Sequence, residues 1–254
     1  MDEYKLGLFL LKSSMRLNKF ISNSGYCSRR KADGYIEAGL VHVNGEVEKQ
    51  MGTIIDPTKD TVTINDKKIA LPTETVTILL NKPTGYTSTK SDPYANQTIY
   101  DLLPKEFHTL HPIGRLDKNS EGLIILTNDG ELTYELTHPK HDSSKTYKIR
   151  VKGTPTSAQI KKLEEGIDIE EEQPDGTTTT YHTQPCTIKT QNDPRSQNTN
   201  QTVLQVTLHE GRKRQIRKMF LSISHPVVYL KRLSMGSYHL GNLQKGQWKI
   251  HPPR

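Results

Sequence analysis

At 254 residues the chain is long enough for two domains, one of them able to bury a full core. Hydrophobic residues make up 32% and the mean hydropathy is −0.70, too apolar for a disordered chain and too polar for one with membrane-spanning helices. Lys and Arg outnumber Asp and Glu by 35 to 28, for a net charge of +7 and a pI near 9.2, a balance that suits RNA or DNA as partner without requiring either.

The apolar run Leu6 to Leu11 is short and follows Asp2 and Glu3, so it is read neither as a signal peptide nor as a membrane helix. Residues 1–14 are expected to be an extension ahead of the first folded element. Cys27 and Cys186 lie far apart, outside any Cys-x-x-Cys spacing, and are read as free thiols of a cytoplasmic protein without disulfide or zinc site. From Arg16 to Ser24, Leu17, Phe20 and Ile21 share one helical face that Gly25 ends. Ser28 can cap a second helix, Arg29 to Ala38, closed by Gly39. Leu40 to Val43 is a strand turned by Asn44-Gly45, and Thr61–Ile64 with Lys67–Ile69 form a second pair about Asn65-Asp66.

Arg29, Arg30 and Lys31 fall in the first turn of the second helix, where cations oppose the helix dipole. A solvated helix start is the plain reading; phosphate-binding side chains beside free backbone N–H groups explain the placement better. The stretch from Arg16 to Gly45, with Ser28-Arg29-Arg30-Lys31-Ala32-Asp33 and Val43-Asn44-Gly45, resembles an S4 (α-L) RNA-binding domain. The resemblance implies a module over 15–71 that holds structured RNA by its backbone.

Leu71 to Glu74 reads as a linker. Thr75 to Leu80 is a mostly apolar strand stopped by Asn81-Lys82-Pro83, Gly85 to Gln97 is a polar loop, and Ile99 to Leu103 is a short helix. His108, His111, His138 and His141 are taken as loop histidines, because no compact third ligand accompanies His138-x-x-His141. A polar loop, Gly114 to Ser120, carries Arg115 and Asp117 into the apolar strand Leu123 to Leu126, which Asp129-Gly130 stops. By spacing alone, such a loop is more often a surface ion pair beside a core strand. The whole stretch from Gly114 to Gly130, however, resembles the nucleophile motif of the pseudouridine synthases, in the RsuA-type branch that modifies ribosomal RNA.

Further on, Glu131 to Thr137 and Ser157 to Glu165 are short helices, and Lys145 to Val151 is a strand with Tyr147, Ile149 and Val151 on one face. Glu170 to Thr180 and Thr190 to Thr202 are expected to be exposed loops without assigned function. Val203 to His209 is a strand leading into Glu210 to Phe220, where Ile216, Met219 and Phe220 face inward from a helix flanked by five cations. Val227 to Leu230 and Trp248 to Ile250 supply late strands.

The resemblance covers residue 15 to about 252. It implies an α+β chain, with the small S4 domain followed over 72–254 by a mixed, mainly antiparallel-sheet catalytic domain. Lys145-Thr146-Tyr147 matches the family's second motif, whose tyrosine lies against the target base, and Gln215-Ile216-Arg217 matches the third, placing Arg217 beside Asp117. On that footing Asp117 is the expected nucleophile, Arg217 its partner, Leu230 an apolar wall, and Arg115, Arg212 and Arg214 contacts to RNA. No cofactor and no metal are expected, since uridine and pseudouridine are isomers and the chain carries no Walker loop or dinucleotide motif. The expected partner is ribosomal RNA or a ribosomal assembly intermediate, met by a monomer away from membranes. The stretch Gly211 to Arg217 resembles the large-subunit subgroup more closely, so the resemblance leans toward the large subunit. Alternatives are a small-subunit or tRNA enzyme, or a non-catalytic S4-type RNA-binding assembly factor.

Overall fold

A computed structural model describes residues 14–90, 96–173, 175–191 and 200–253. The chain divides between Thr75 and Val76 into two compact units. The expected extension over 1–14 lies, apart from Ser14, outside the described residues.

The first unit starts with a short strand, β1 (Met15–Arg16), and two helices, α1 (Leu17–Asn23) and α2 (Arg29–Glu37). It continues through β2 (Val41–Val43), β3 (Glu46–Val47), β4 (Ile54–Ile55), β5 (Val62–Ile64) and β6 (Lys67–Ile69). Ser28 caps α2 by accepting from the Lys31 backbone N–H at 3.3 Å. The β2–β3 hairpin turns with Asn44 at φ 54° and Gly45 at φ 90°, the left-handed backbone that an Asn-Gly turn requires. Leu17, Phe20 and Ile21 of α1 pack on Ala32 and Ile36 of α2 and on Val41, Ile55, Val62 and Ile64, a core of its own. The β1–β4 pair went unread in the sequence, because a two-residue strand carries no periodicity.

The second unit is built on one nine-stranded sheet of order β13-β14-β10-β15-β9-β7-β17. Its strands are β7 (Thr77–Lys82), β8 (His111–Ile113), β9 (Glu121–Thr127), β10 (Lys145–Lys152), β13 (Thr187–Thr190), β14 (Gln201–Leu208), β15 (Val227–Met235), β16 (Tyr238–His239) and β17 (Trp248–His251). Every pairing is antiparallel except β9 with β15, so the sheet is mixed and mainly antiparallel, as the α+β reading expects. Three α-helices, α3 (Gly130–Thr137), α4 (Ser157–Glu165) and α5 (Gln215–Ser222), accompany it.

The run Leu123-Ile124-Ile125-Leu126 is apolar without alternation because β9 is covered on both faces. Leu123 and Ile125 pack with Leu132 and Leu136 of α3, whereas Ile124 and Leu126 pack with Ile99, Tyr100 and Leu103. Each such fully buried aliphatic side chain contributes roughly 1.5–3 kcal/mol.

Three expectations need correction. Asn81-Lys82 do not stop β7: the strand runs through Lys82, and both side chains are fully buried. Of the expected loop histidines, His111 is the first residue of β8, and His108 and His141 lie in short 3₁₀ turns, Lys105–Thr109 and Pro139–His141. The segment read as a loop over Glu170–Thr180 is largely a hairpin, β11 (Asp168–Glu172) with β12 (Thr178–His182), pairing Asp168 to His182 through Glu172 to Thr178. Its strands are acidic and Thr-rich rather than alternating in hydropathy, so the period-2 signal is missing. Of the other polar segment, 192–199 lie outside the described residues, while Gln201 and Thr202 open β14.

Candidate active site

A cleft of about 570 Å³ lies where β10, β15 and β9 meet, lined among others by Arg115, Asp117, Tyr147, Arg214, Arg217 and Leu230. Asp117 sits on the loop between β8 and β9, and Tyr147 and Leu230 project from β10 and β15, each less than a tenth exposed. Arg212 and Arg214 come from the turn between β14 and α5, and Arg217 from α5 itself. The cleft thus draws on segments about a hundred residues apart. It gathers every cleft residue the sequence singled out; Arg29, Arg30 and Lys31 stand exposed on the other unit.

Arg217 faces Asp117, with Nε 4.0 Å from Oδ2. Its side chain is 15% exposed and that of Asp117 is 38% exposed. The guanidinium is anchored by its terminal nitrogens, which donate to the carbonyl oxygens of Val227 (3.1 Å) and Asn119 (3.0 Å) and to Ser120 Oγ (3.2 Å). Nε is buried and makes no hydrogen bond, so it is held in place and presented to the carboxylate. Burial, with Arg214 nearby, pushes the guanidinium below its usual pKa, while Asp117 opposes the shift; an arginine remains a cation regardless.

The loop that carries Asp117 is held from beneath by Lys82. Its Nζ donates to the carbonyl oxygens of Ser120 (2.7 Å), Pro83 (3.1 Å), Asp117 (3.1 Å) and Lys118 (3.5 Å). Burial pushes its ammonium down to about 8, against the opposing pull of Asp117 and Glu121. Ser88 adds a second strap: its Oγ donates to Leu116 O (2.9 Å) and accepts from the Leu116 N–H (3.1 Å). Glu121 is buried as well. Burial raises its carboxyl pKa, but hydrogen bonds from Lys245 (2.7 Å) and Tyr229 (2.5 Å) outweigh that and hold it below the usual value.

Lys82, Ser88, Ser120 and Gln215 escaped the sequence reading. A lysine at the end of an apolar strand was a signal for Lys82, but the carbonyls it binds lie up to 38 residues away. Gln215, also buried, closes the turn before α5: Oε1 accepts from the Arg212 N–H (3.0 Å) and Nε2 donates to Glu210 (2.6 Å). Within that turn Arg214 adopts the left-handed backbone at φ 57°, uncommon for a side chain of its size.

The arrangement offers a half-exposed carboxylate beside a fixed cation, an aromatic ring and an apolar wall over a cleft, with further cations on the rim. That set suits nucleophilic chemistry on a planar, polyanion-borne group. Among the described residues no group of three His, Cys, Asp or Glu side chains could hold a metal ion, and no helix is long and apolar enough to cross a membrane.

Residues 76–222 match the family described as RNA pseudouridylate synthase, and residues 15–62 match the S4 domain. The Bacillus subtilis protein named ribosomal large subunit pseudouridine synthase B is 38% identical over 231 residues, covering 91% of this chain and 89% of that one. The dual-specificity RNA pseudouridine synthase RluF of Escherichia coli is 37% identical over 242 residues, 93% of this chain and 75% of that one. A crystal structure titled as a pseudouridylate synthase superposes with a TM-score of 0.64 at 28% identity, covering 94% of this chain and 96% of its own.

Proposed function

The chain belongs to the RsuA-type RNA pseudouridine synthases, an S4 domain followed by a pseudouridine synthase domain, and from that premise we propose that it isomerises a specific uridine of ribosomal RNA through attack by Asp117. The observation that carries the assignment of Asp117 is its placement 4.0 Å from the anchored Arg217 in a cleft walled by Tyr147 and Leu230.

The reaction breaks the N1–C1′ bond of uridine, turns the base, and joins C5 to C1′; the C5 proton leaves and N1 gains one. Nothing is gained or lost overall, so no redox or group-carrying cofactor is needed. Asp117 supplies the nucleophile, at C6 of the base or C1′ of the ribose. Arg217 faces the carboxylate and orients it toward the substrate. Tyr147 lies against the uracil and is placed to take the C5 proton, and Leu230 excludes water from the other side. The target base must leave its stack to reach Asp117, which costs less in an RNA loop than in a duplex. Arg115 and Arg214 on the rim serve the flanking phosphates, Arg212 stands in the same turn as Arg214, and Arg29, Arg30 and Lys31 of the S4 unit supply affinity for RNA.

The relative named for the large ribosomal subunit, 38% identical, supports that subunit as the target. The relative named as a dual-specificity enzyme supports, as a second reading, action on more than one RNA. Chemical mapping of pseudouridine in both ribosomal RNAs and in tRNA, from cells with and without this gene, separates them. The expected result is one large-subunit position lost with the gene and restored by wild-type protein but not by Asp117→Asn. If the gene's removal erases no pseudouridine from any RNA, the proposal fails.

A further inference from the structure

The hairpin β11–β12, which the catalytic reading leaves without a task, lies against the basic rim of the cleft. Its acidic strand meets two of the rim's cations, Arg212 and Lys213, and Lys218 of α5 beside them. Arg212 Nη1 lies 3.3 Å from Glu171 Oε2, Lys213 Nζ 3.7 Å from Glu172 Oε2, and Lys218 Nζ donates to the Glu170 carbonyl oxygen at 2.5 Å. Arg212 is also stacked, its guanidinium 3.7 Å from the centre of the Tyr181 ring on β12. Tyr181 in turn donates to Glu210 at 2.6 Å, whose other oxygen accepts from Gln215 and from the Gln184 N–H at 2.8 Å. Arg115, Lys118 and Arg214 line the same cleft, yet among the described residues none of them is paired with a carboxylate.

We infer that the hairpin is a specificity-determining element: Glu171 and Glu172 occupy Arg212 and Lys213, so that the phosphate grip of the rim comes from Arg115, Lys118 and Arg214. This rests on the reading of the cleft as the RNA-binding site. A cation that already faces a carboxylate neutralises a phosphate only by giving that carboxylate up, so it adds little to the sequence-independent attraction that any RNA feels. The acidic strand also repels phosphates that approach out of register. Both effects widen the gap between the RNA that fits and the RNA that does not, which is what specificity consists of. An isolated surface ion pair would carry no such weight. Here two consecutive carboxylates of one strand engage the rim, the neighbouring Glu170 takes Lys218 of α5 through its backbone, and Arg212 is fixed by stacking as well as by charge.

The test is the salt dependence of RNA binding by the full chain, measured with a substrate RNA fragment and with an unrelated structured RNA of equal length. Arg214→Gln should flatten the slope of log affinity against log salt by about one unit, and Arg212→Gln by clearly less. Glu171→Gln with Glu172→Gln should steepen it by about one to two units and raise affinity for the unrelated RNA several-fold more than for the substrate. Circular dichroism of each variant verifies its folding, and Glu171→Asp with Glu172→Asp, which keeps both charges, should restore the wild-type slope. A flattened slope for Arg214→Gln with no change in the hairpin variant overturns the inference alone. An unchanged slope in all variants overturns the RNA-facing rim and the inference together.

Discussion

Asp117 and Arg217 are paired loosely: the contact is 4.0 Å and the carboxylate keeps 38% of its side chain exposed. A pair of this kind adds little stability, below about 1 kcal/mol. Asp117→Asn should therefore unfold at nearly the wild-type temperature, bind RNA within a few-fold of wild type, and form no detectable pseudouridine. Turnover by the folded variant at near wild-type rate would remove Asp117 from the role. Lys82 gives the opposite profile. Its ammonium is held near 8 by burial, below the ordinary lysine value of 10.5. The folded protein thus binds fewer protons than the unfolded chain between those two values, and this group's contribution to stability rises as pH climbs from about 8 to above 10. Activity should move the other way, because the neutral amine has fewer donors for the four carbonyls under Asp117. We predict a fall in kcat above about pH 8 that is absent from Lys82→Met, whose kcat is low throughout and whose stability drops by roughly 1–3 kcal/mol for the unpaired carbonyls. A Lys82→Met enzyme with wild-type kcat and pH profile would show that the loop needs no such support. Asp117, Tyr147 and Arg217 were singled out only through the resemblance of their local runs to family motifs, and the fold brings all three into one cleft. Lys82 was not, since its task exists only after β7 and β9 have paired.

Among the elements, the parallel junction of β9 and β15 decides where the cleft opens. Gly122 has φ 107°, and a Cβ there would come within 2.2 Å of the Arg232 carbonyl oxygen. The two backbones meet at Arg232↔Gly122, directly after the Asp117 loop and close to Leu230. Gly122→Ala should cost roughly 2–4 kcal/mol from backbone strain and forced separation, and should lower kcat as Leu230 and Asp117 move apart. Thermal unfolding and single-turnover rates on one sample check both, and a variant as stable as wild type would mean the junction yields. The strands and helices with clear periodicity, such as Tyr147-Ile149-Val151, were readable to within a residue or two. The β11–β12 hairpin was hidden because its strands are acidic and Thr-rich, with Ile169 and Tyr181 meeting the core from strands that show no alternation.

At the scale of the whole molecule, the proposed function divides affinity and chemistry between the two units. Replacing Arg29, Arg30 and Lys31 by Ala should weaken RNA binding and flatten its salt slope by about one unit per lost phosphate contact, with the loss falling on KM rather than on kcat. An unaltered slope would place these exposed side chains in plain solvent. The order of two units was legible from the shift between a small helical segment with hairpins and a long run of strands. The strand order of the sheet was not, because it is set by contacts between residues a hundred or more apart. That same remoteness has a consequence for how the enzyme is born. β7 pairs with β17, from Thr77 to His251, and β9 with β15, from Glu121 to Lys231, so the catalytic sheet cannot close until nearly all of the chain has been made. At ordinary elongation rates that is a wait on the order of ten to thirty seconds after the S4 segment has emerged with its own core. Translation itself would then order the two activities, with RNA capture available before isomerisation. Stalled nascent chains of increasing length should bind RNA well before Asp117 becomes competent, and simultaneous onset of the two would refute that order.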